Sequence, residues 1–269
     1  MDEVFAPVRE WLGRTRGVSG IQVLDEHGAV LFGQRGDEVF PAASVIKLAL
    51  VMTLYADAAE GRLALEERCA VGARVDGSGV LRHLQHVEPL TLADLAMLAM
   101  AFSDNTATNL LIDRVGVERV AERLRDWGCV GGTRLARRMY DFEARARGLE
   151  NVMTPADTAR LLLRLLGGGL VDRATSDAVL RTLDENQDAT LLGRYLPEGA
   201  RLAHKSGWID GVRNDAGIVW GARPVVVVGF ARETDHSEAS VLLGLLGWCA
   251  YRAAGAEVPP LPLELSRPS

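Results

Sequence analysis

Ser44 and Lys47 stand three residues apart at the head of an otherwise apolar helical run, PAASVIKLALVMTLY, residues 41–55. On a helix that spacing puts both side chains on one face. Burial lowers the pKa of a lysine, and a neutral amine can accept a hydroxyl proton and so activate the serine as a nucleophile. The helix N-terminus adds a field that favours negative charge on the serine oxygen. A plainer reading is a capping Ser44 with Lys47 reaching solvent, but Ile46, Leu48 and Leu50 leave little polar face for it.

Two more stretches carry similar groups. Ser103-Asp104-Asn105 falls between two helical segments. Its serine can relay a proton to a leaving group, and its asparagine offers both a donor and an acceptor to a substrate amide. Asp104 can cap the next turn. An ordinary helix–helix turn uses the same residue types. Lys205-Ser206-Gly207 falls in an expected strand. Lys205 and Ser206 can hold a substrate carboxylate, and Gly207 lets a ligand approach the backbone closely. An exposed edge strand would read the same way.

The elements that must position these groups are legible in outline. Residues 4–15 suit a first helix. Gly20–Leu24 and Val30–Phe32 read as strands around the turn 25–28. Thr91 with Asp94 forms a capping-box pattern before LAMLAMAF. Residues 117–127 have a helical apolar period that stops at Gly128. Thr154-Pro155-Ala156-Asp157 opens a helix that ends at glycines 167–169, and another helix covers 173–184. Strands return at 201–209, 215–220 and 224–231, and a last helix covers 237–254. The fold class is therefore α/β (α+β). A five-stranded antiparallel sheet is built from both chain ends, with flanking helices and an inserted all-helical subdomain. One domain is expected over 1–252: an α/β part at 1–43 and 195–255, a helical part at 44–194, and a Pro-rich tail at 256–269.

Composition narrows the partners. The chain has 269 residues, a formal net charge of −6 and 48% hydrophobic residues. The negative charge disfavours nucleic acid. No apolar run is long enough for a membrane span; LLLRLLGGGL is too short and ends in glycines. Cys69, Cys129 and Cys249 are scattered, and His83 with His86 is a poor ligand pair, so neither a metal nor another cofactor is expected. The N-terminus shows no secretory pattern. A cytoplasmic location is the expectation, or a periplasmic or secreted one if a leader has been trimmed. The expected partner is a small molecule carrying a carboxylate, and the expected state a monomer or weak dimer.

Taken together, Ser44-x-x-Lys47, then Ser103-Asp104-Asn105, then Lys205-Ser206-Gly207 resemble the motif set of serine β-lactamases and penicillin-binding DD-peptidases, class A most closely. The resemblance covers about residues 15–252, including SDNTATN at 103–109 and Thr154-Pro155. It implies that Ser44 is the nucleophile, Lys47 its activating partner and Ser103 the proton relay. It implies that Asn105 binds a substrate amide, Lys205 and Ser206 anchor a carboxylate, and Asn109 holds the omega loop. The oxyanion hole would be the N–H groups of Ser44 and Trp208. The expected reaction is β-lactamase-type hydrolysis through an acyl-enzyme.

The chain departs from that family in three places. Trp208 replaces a residue that is usually small, and its ring is expected to reshape the cleft unless it points away. The family's arginine after the third motif has Arg213 as its candidate here. The omega-loop Glu-x-x-x-Asn is absent from RMYDFEARARGLEN, residues 138–151. Glu143 could supply the deacylating base, Asp141 could, or neither does; Glu143 could simply pair with Arg147. Without a base the alternative is a DD-peptidase-like or esterase-like hydrolase that β-lactams acylate and that clears them slowly. The glycines of GSGVL, 77–81, fit either a cleft rim or a plain turn.

Overall fold

The segment PVVVVGFAR has no polar face, and the structure explains why. In the computed structural model, which describes residues 3–262, it is the central strand of the main sheet. Its side chains alternate between two cores. Val225 and Val227 join one apolar cluster, while Val226, Val228 and Phe230 join the other.

The chain runs α1 (Ala6–Leu12), β1 (Val18–Asp25), β2 (Val30–Gln34), β3 (Phe40–Pro41), a 3-10 turn (Ala43–Ile46) and α2 (Lys47–Ala59). It continues β4 (Arg68–Cys69), β5 (Leu90–Thr91), α3 (Leu92–Ala101), α4 (Asn105–Val115), α5 (Val117–Asp126), α6 (Phe142–Ala146) and β6 (Val152–Met153). Then follow α7 (Pro155–Leu166), α8 (Arg173–Asp184), β7 (Arg201–Ile209), β8 (Val212–Trp220), β9 (Pro224–Arg232) and α9 (His236–Ala253). The sheet order is β2-β1-β9-β8-β7, antiparallel throughout, so both chain ends meet in it. Helices α1 and α9 cover one face, and α7 covers the other against β1, β8 and β9.

Local signals hold well where they are strong. Thr91 and Asp94 form the full capping box of α3, and Thr154 caps α7 with Pro155 in its first turn. Helix α1 is shorter than its apolar period suggests, running only from Ala6 to a cap at Gly13. Strand β8 begins at Val212, earlier than its own residues indicate, because Val212–Asn214 pair with Gly207–Ile209. Helix α7 falls in the expected helical part yet packs on the sheet. The tail beyond α9 folds back: the carbonyl of Pro259 accepts the Trp248 indole N–H at 2.8 Å, while residues 263–269 lie outside the described residues. Among the described residues, no helix is long and apolar enough to cross a membrane.

Helix α2 lies at the middle of the larger core. Leu48 to Leu54 are all fully buried, as expected of a helix apolar all round. This buried rod carries Lys47 in its first turn.

Candidate active site

Ser44 sits on the 3-10 turn, not on α2 itself, and its side chain makes no capping hydrogen bond. In a 3-10 turn, residues three apart eclipse, so Ser44 and Lys47 remain on one side. Lys47 is fully buried. Its Nζ donates to the Ser103 carbonyl at 2.7 Å, to Asn105 Oδ1 at 2.9 Å and to Ser103 Oγ at 3.1 Å. Ser44 Oγ, by contrast, has no hydrogen-bond partner among the described residues. Burial, followed by the positive charge of Lys205, pushes the Lys47 pKa well below the ordinary lysine value, with Asp104 opposing. The Ser103 Oγ contact is the one of the three that can reverse, because a hydroxyl donates to a neutral amine as readily as it accepts from an ammonium.

The turn that meets Lys47 is tightly held. Asp104 caps α4 through Ala107 N–H at 2.9 Å and also accepts from Leu81 N–H at 2.8 Å. That second bond draws the 77–81 segment onto the turn. Gly79, at φ +116°, lies where any Cβ would strike the Asp104 side chain, so its glycine is a packing requirement. Asn105 completes the junction by donating Nδ2 to the Asp76 carbonyl at 2.8 Å. Backbone strain gathers here. Of five non-glycine residues with positive φ among those described, Ala43 and Ser103 flank the cleft and Tyr140 lines it.

Strand β7 forms the opposite wall. Lys205 is fully buried, donates to the Ser206 carbonyl at 2.8 Å, and is pulled down to about 8 by burial, with Asp215 and Asp188 opposing. Gly207 passes against the Ser44 turn so closely that a Cβ there would lie 2.7 Å from the Ser44 nitrogen. Trp208 is 56% exposed and lines both lobes of the cleft beside Ser44, with the Arg213 guanidinium 5.1 Å from its ring centroid. Arg213 also lines the cavity of about 520 Å³ shared by Ser44, Ser103, Lys205 and Ser206, and its buried Nη1 has no hydrogen-bond partner among the described residues.

The remaining wall is the 134–151 loop, across a second lobe of about 280 Å³ that also touches Ser44. Asn109 clasps it, accepting from Met139 N–H at 2.7 Å and donating to the Met139 carbonyl at 3.0 Å. Glu143 is exposed, because the short helix α6 turns Ala144 inward instead, and it makes no ion pair with Arg147 among the described residues. Asp141 is occupied as the cap of α6, accepting Ala144 N–H at 2.8 Å. Neither acid lines the cavity walls around Ser44.

The structure brings forward residues to which sequence reasoning gave no role. Glu150 lines the lobe beside Ser44. It accepts from Arg137 at 2.6 and 3.0 Å and pairs with Arg145 at 3.2 Å. Asn151 accepts from the N–H groups of Ala136 and Arg137, and its carbonyl accepts from Ala42 N–H at 2.9 Å, tying the loop to the Ser44 turn. Asp188 lines the Lys205 side. No local pattern marks these three.

Comparison with known proteins agrees with this arrangement. The model of the Beta-lactamase enzyme family matches residues 5–253. The β-lactamase CARB-3 of Pseudomonas aeruginosa is 29% identical over 82% of this chain and 78% of its own length. The β-lactamase L2 of Stenotrophomonas maltophilia is 28% identical, covering 89% of this chain and 82% of its own. Among solved structures, a β-lactamase from Sphaerobacter thermophilus superposes with a TM-score of 0.86 at 34% identity, covering 96% of this chain and 99% of its own. PBP-A superposes at 0.82 with 27% identity over 94% and 96%, and a variant of it is described as an acyl-enzyme complex with penicillin G. The chain belongs to the beta-lactamase enzyme family and is a serine hydrolase of the acyl-enzyme type.

Proposed function

We propose that the protein hydrolyses the β-lactam amide through an ester on Ser44 and that clearing this ester is its slow step. Ser44 Oγ bonds to the carbonyl carbon while Lys47, as a neutral amine, takes its proton. The C–N bond then breaks, and the leaving nitrogen receives a proton through Ser103 Oγ. The N–H groups of Ser44 and Trp208 stabilise the oxyanion. Asn105 faces the acyl side chain, and Lys205, Ser206 and Arg213 face the group beside the leaving nitrogen. Water finally cleaves the ester and regenerates Ser44.

The observation that carries the slow step is the state of Glu150. A general base needs a free lone pair near its water. Oε1 of Glu150 accepts from Arg137 twice and from the Asn151 N–H, and Oε2 is ion-paired with Arg145 at 3.2 Å. Glu143 and Asp141 are directed elsewhere. The test is an intact-mass time course with benzylpenicillin, with free drug followed in the same tube. A Ser44 adduct that forms quickly and decays slowly is expected, and Glu150→Gln should lengthen its life. Rapid loss of drug without an adduct would overturn the slow step. An adduct on Ser44→Ala would overturn the nucleophile.

A further inference from the structure

The exposed aromatic side chains of this protein are gathered in one place. Among the described residues four are exposed, Phe102, Tyr140, Phe142 and Trp208, and all four line the cleft around Ser44. Aromatic surface left in water is costly, and a patch of it beside a reactive group marks a binding surface. Phe102 borders the larger cavity, Tyr140 and Phe142 the lobe of about 280 Å³, and Trp208 both.

The three rings of the smaller lobe are set by the backbone around them. Tyr140, at φ +61°, carries its ring against Gly77, where a Cβ would stand 2.4 Å from the Tyr140 hydroxyl oxygen and 2.5 Å from its Cε2. Gly77 leaves room for the ring, and through it the 134–151 loop meets the 77–81 rim. Phe142 packs edge-to-face on Tyr140, with ring centroids 5.4 Å apart and planes at 76°. Trp208 follows Gly207, whose backbone lies against the Ser44 turn, and the Arg213 guanidinium lies over its ring at 5.1 Å. The formal charges of the lobe balance, Arg137 and Arg145 against Glu150 and Asp210, so they call for no charged ligand.

The lobe also has a defined side. Asn105, which faces the acyl side chain in the reading above, lines it, whereas Lys205, Ser206 and Arg213 line the other cavity. The rings therefore lie on the acyl side of the scissile bond.

We infer that this lobe is a subsite for an aromatic ring on the acyl group, with Trp208 on one wall and Tyr140 and Phe142 on the other as specificity-determining residues. The preferred substrate class is then an amide or ester of an arylalkanoic acid, β-lactams with such a side chain included. This inference rests on the acyl-enzyme reading above.

The test measures Ser44 acylation by rapid-quench intact mass with benzylpenicillin and with 6-acetamidopenicillanic acid, which keeps the lactam, the amide and the carboxylate and lacks only the phenyl ring. The wild-type protein should favour benzylpenicillin by about tenfold or more. The gain should lie in the concentration that half-saturates acylation, with the limiting rate changed less, because the ring touches ground and transition states alike. Trp208→Ala and Phe142→Ala should each lower the ratio of the two efficiencies by about threefold or more, and Trp208→Phe should keep most of it. The ratio cancels any effect of these variants on Arg213 or on the loop, since both compounds meet those alike. Acylation by both compounds with equal efficiency would overturn the inference and leave the acyl-enzyme reading standing. So would a ratio that both alanine variants leave unchanged. Acylation by neither compound would overturn the acyl-enzyme reading and this inference with it.

Discussion

On one side of Ser44, Lys47 is buried with only neutral oxygens bonded to its amine; on the other, Glu150 is gripped by two guanidinium groups. Both groups are potential bases, and their surroundings act on them in opposite ways. Desolvation without a bonded carboxylate favours the neutral amine, the form with a lone pair to offer. The donors gathered on Glu150 occupy lone pairs that a base would need. The contrast matches a protein whose first half-reaction is prepared and whose second is restrained. Which step an enzyme of this fold performs well is then decided by the charges that touch each base, more than by which bases are present.

The sharpest way to break the comparison is to remove the amine. Lys47→Met should lower the rate of Ser44 acylation by about a thousandfold while the adduct, once formed, remains visible by mass. A loss below tenfold would mean that Lys47 is not the activating group.

Lys205 checks whether burial acts on a second amine as it does on Lys47. With a folded pKa of about 8, the unfolded chain binds a proton that the folded chain has shed between about pH 8 and the ordinary lysine value. Stability should therefore rise with pH across that window, and the cost of the buried charge should persist in full below it. Relative to Lys205→Met, the wild-type protein should gain about 3 kcal/mol in chemical denaturation on going from pH 7 to above 10. A flat difference would show that Lys205 is not desolvated.

On the loop wall, Asn109→Ala leaves both backbone groups of Met139 without their partners in a largely buried place. A stability loss of about 2 kcal/mol is expected, with acyl-enzyme lifetime changed more than acylation rate. Equal changes in both would argue that Asn109 supports the whole cleft and not the loop alone. The smallest effect should come from Arg145→Ala, which frees one oxygen of Glu150 while Arg137 keeps the other. Adduct decay should quicken by about threefold, in line with the modest strength of a half-exposed pair. Slower decay would reverse the role given to that pair.

Much of this molecule could be read along the chain. The caps at Thr91 and Thr154, the bounds of α8 and β7, and the order of the three motifs all depend on residues within a few positions of one another, where helical and strand geometry alone fixes who meets whom. The start of β8 could not be read, because it is set by pairing across to β7. Nor could the choice among the loop acids. Tyr140 turns the backbone at φ +61°, Asp141 is consumed as a cap, and Glu143 is carried outward, so that Glu150 arrives beside Ser44 instead.

The sequence by itself therefore determined that a serine, two lysines and a second serine would be presented on a buried helix start, a turn and a strand, because short-range spacing carries that information. Only the tertiary structure decided which charges surround them. Asp188 enters the cavity of Lys205 on a loop pinned to the end of α3, and Glu150 meets Arg137 and Arg145 across a turn. Electrostatic environment is a property of distances through space, and chain separation does not encode it.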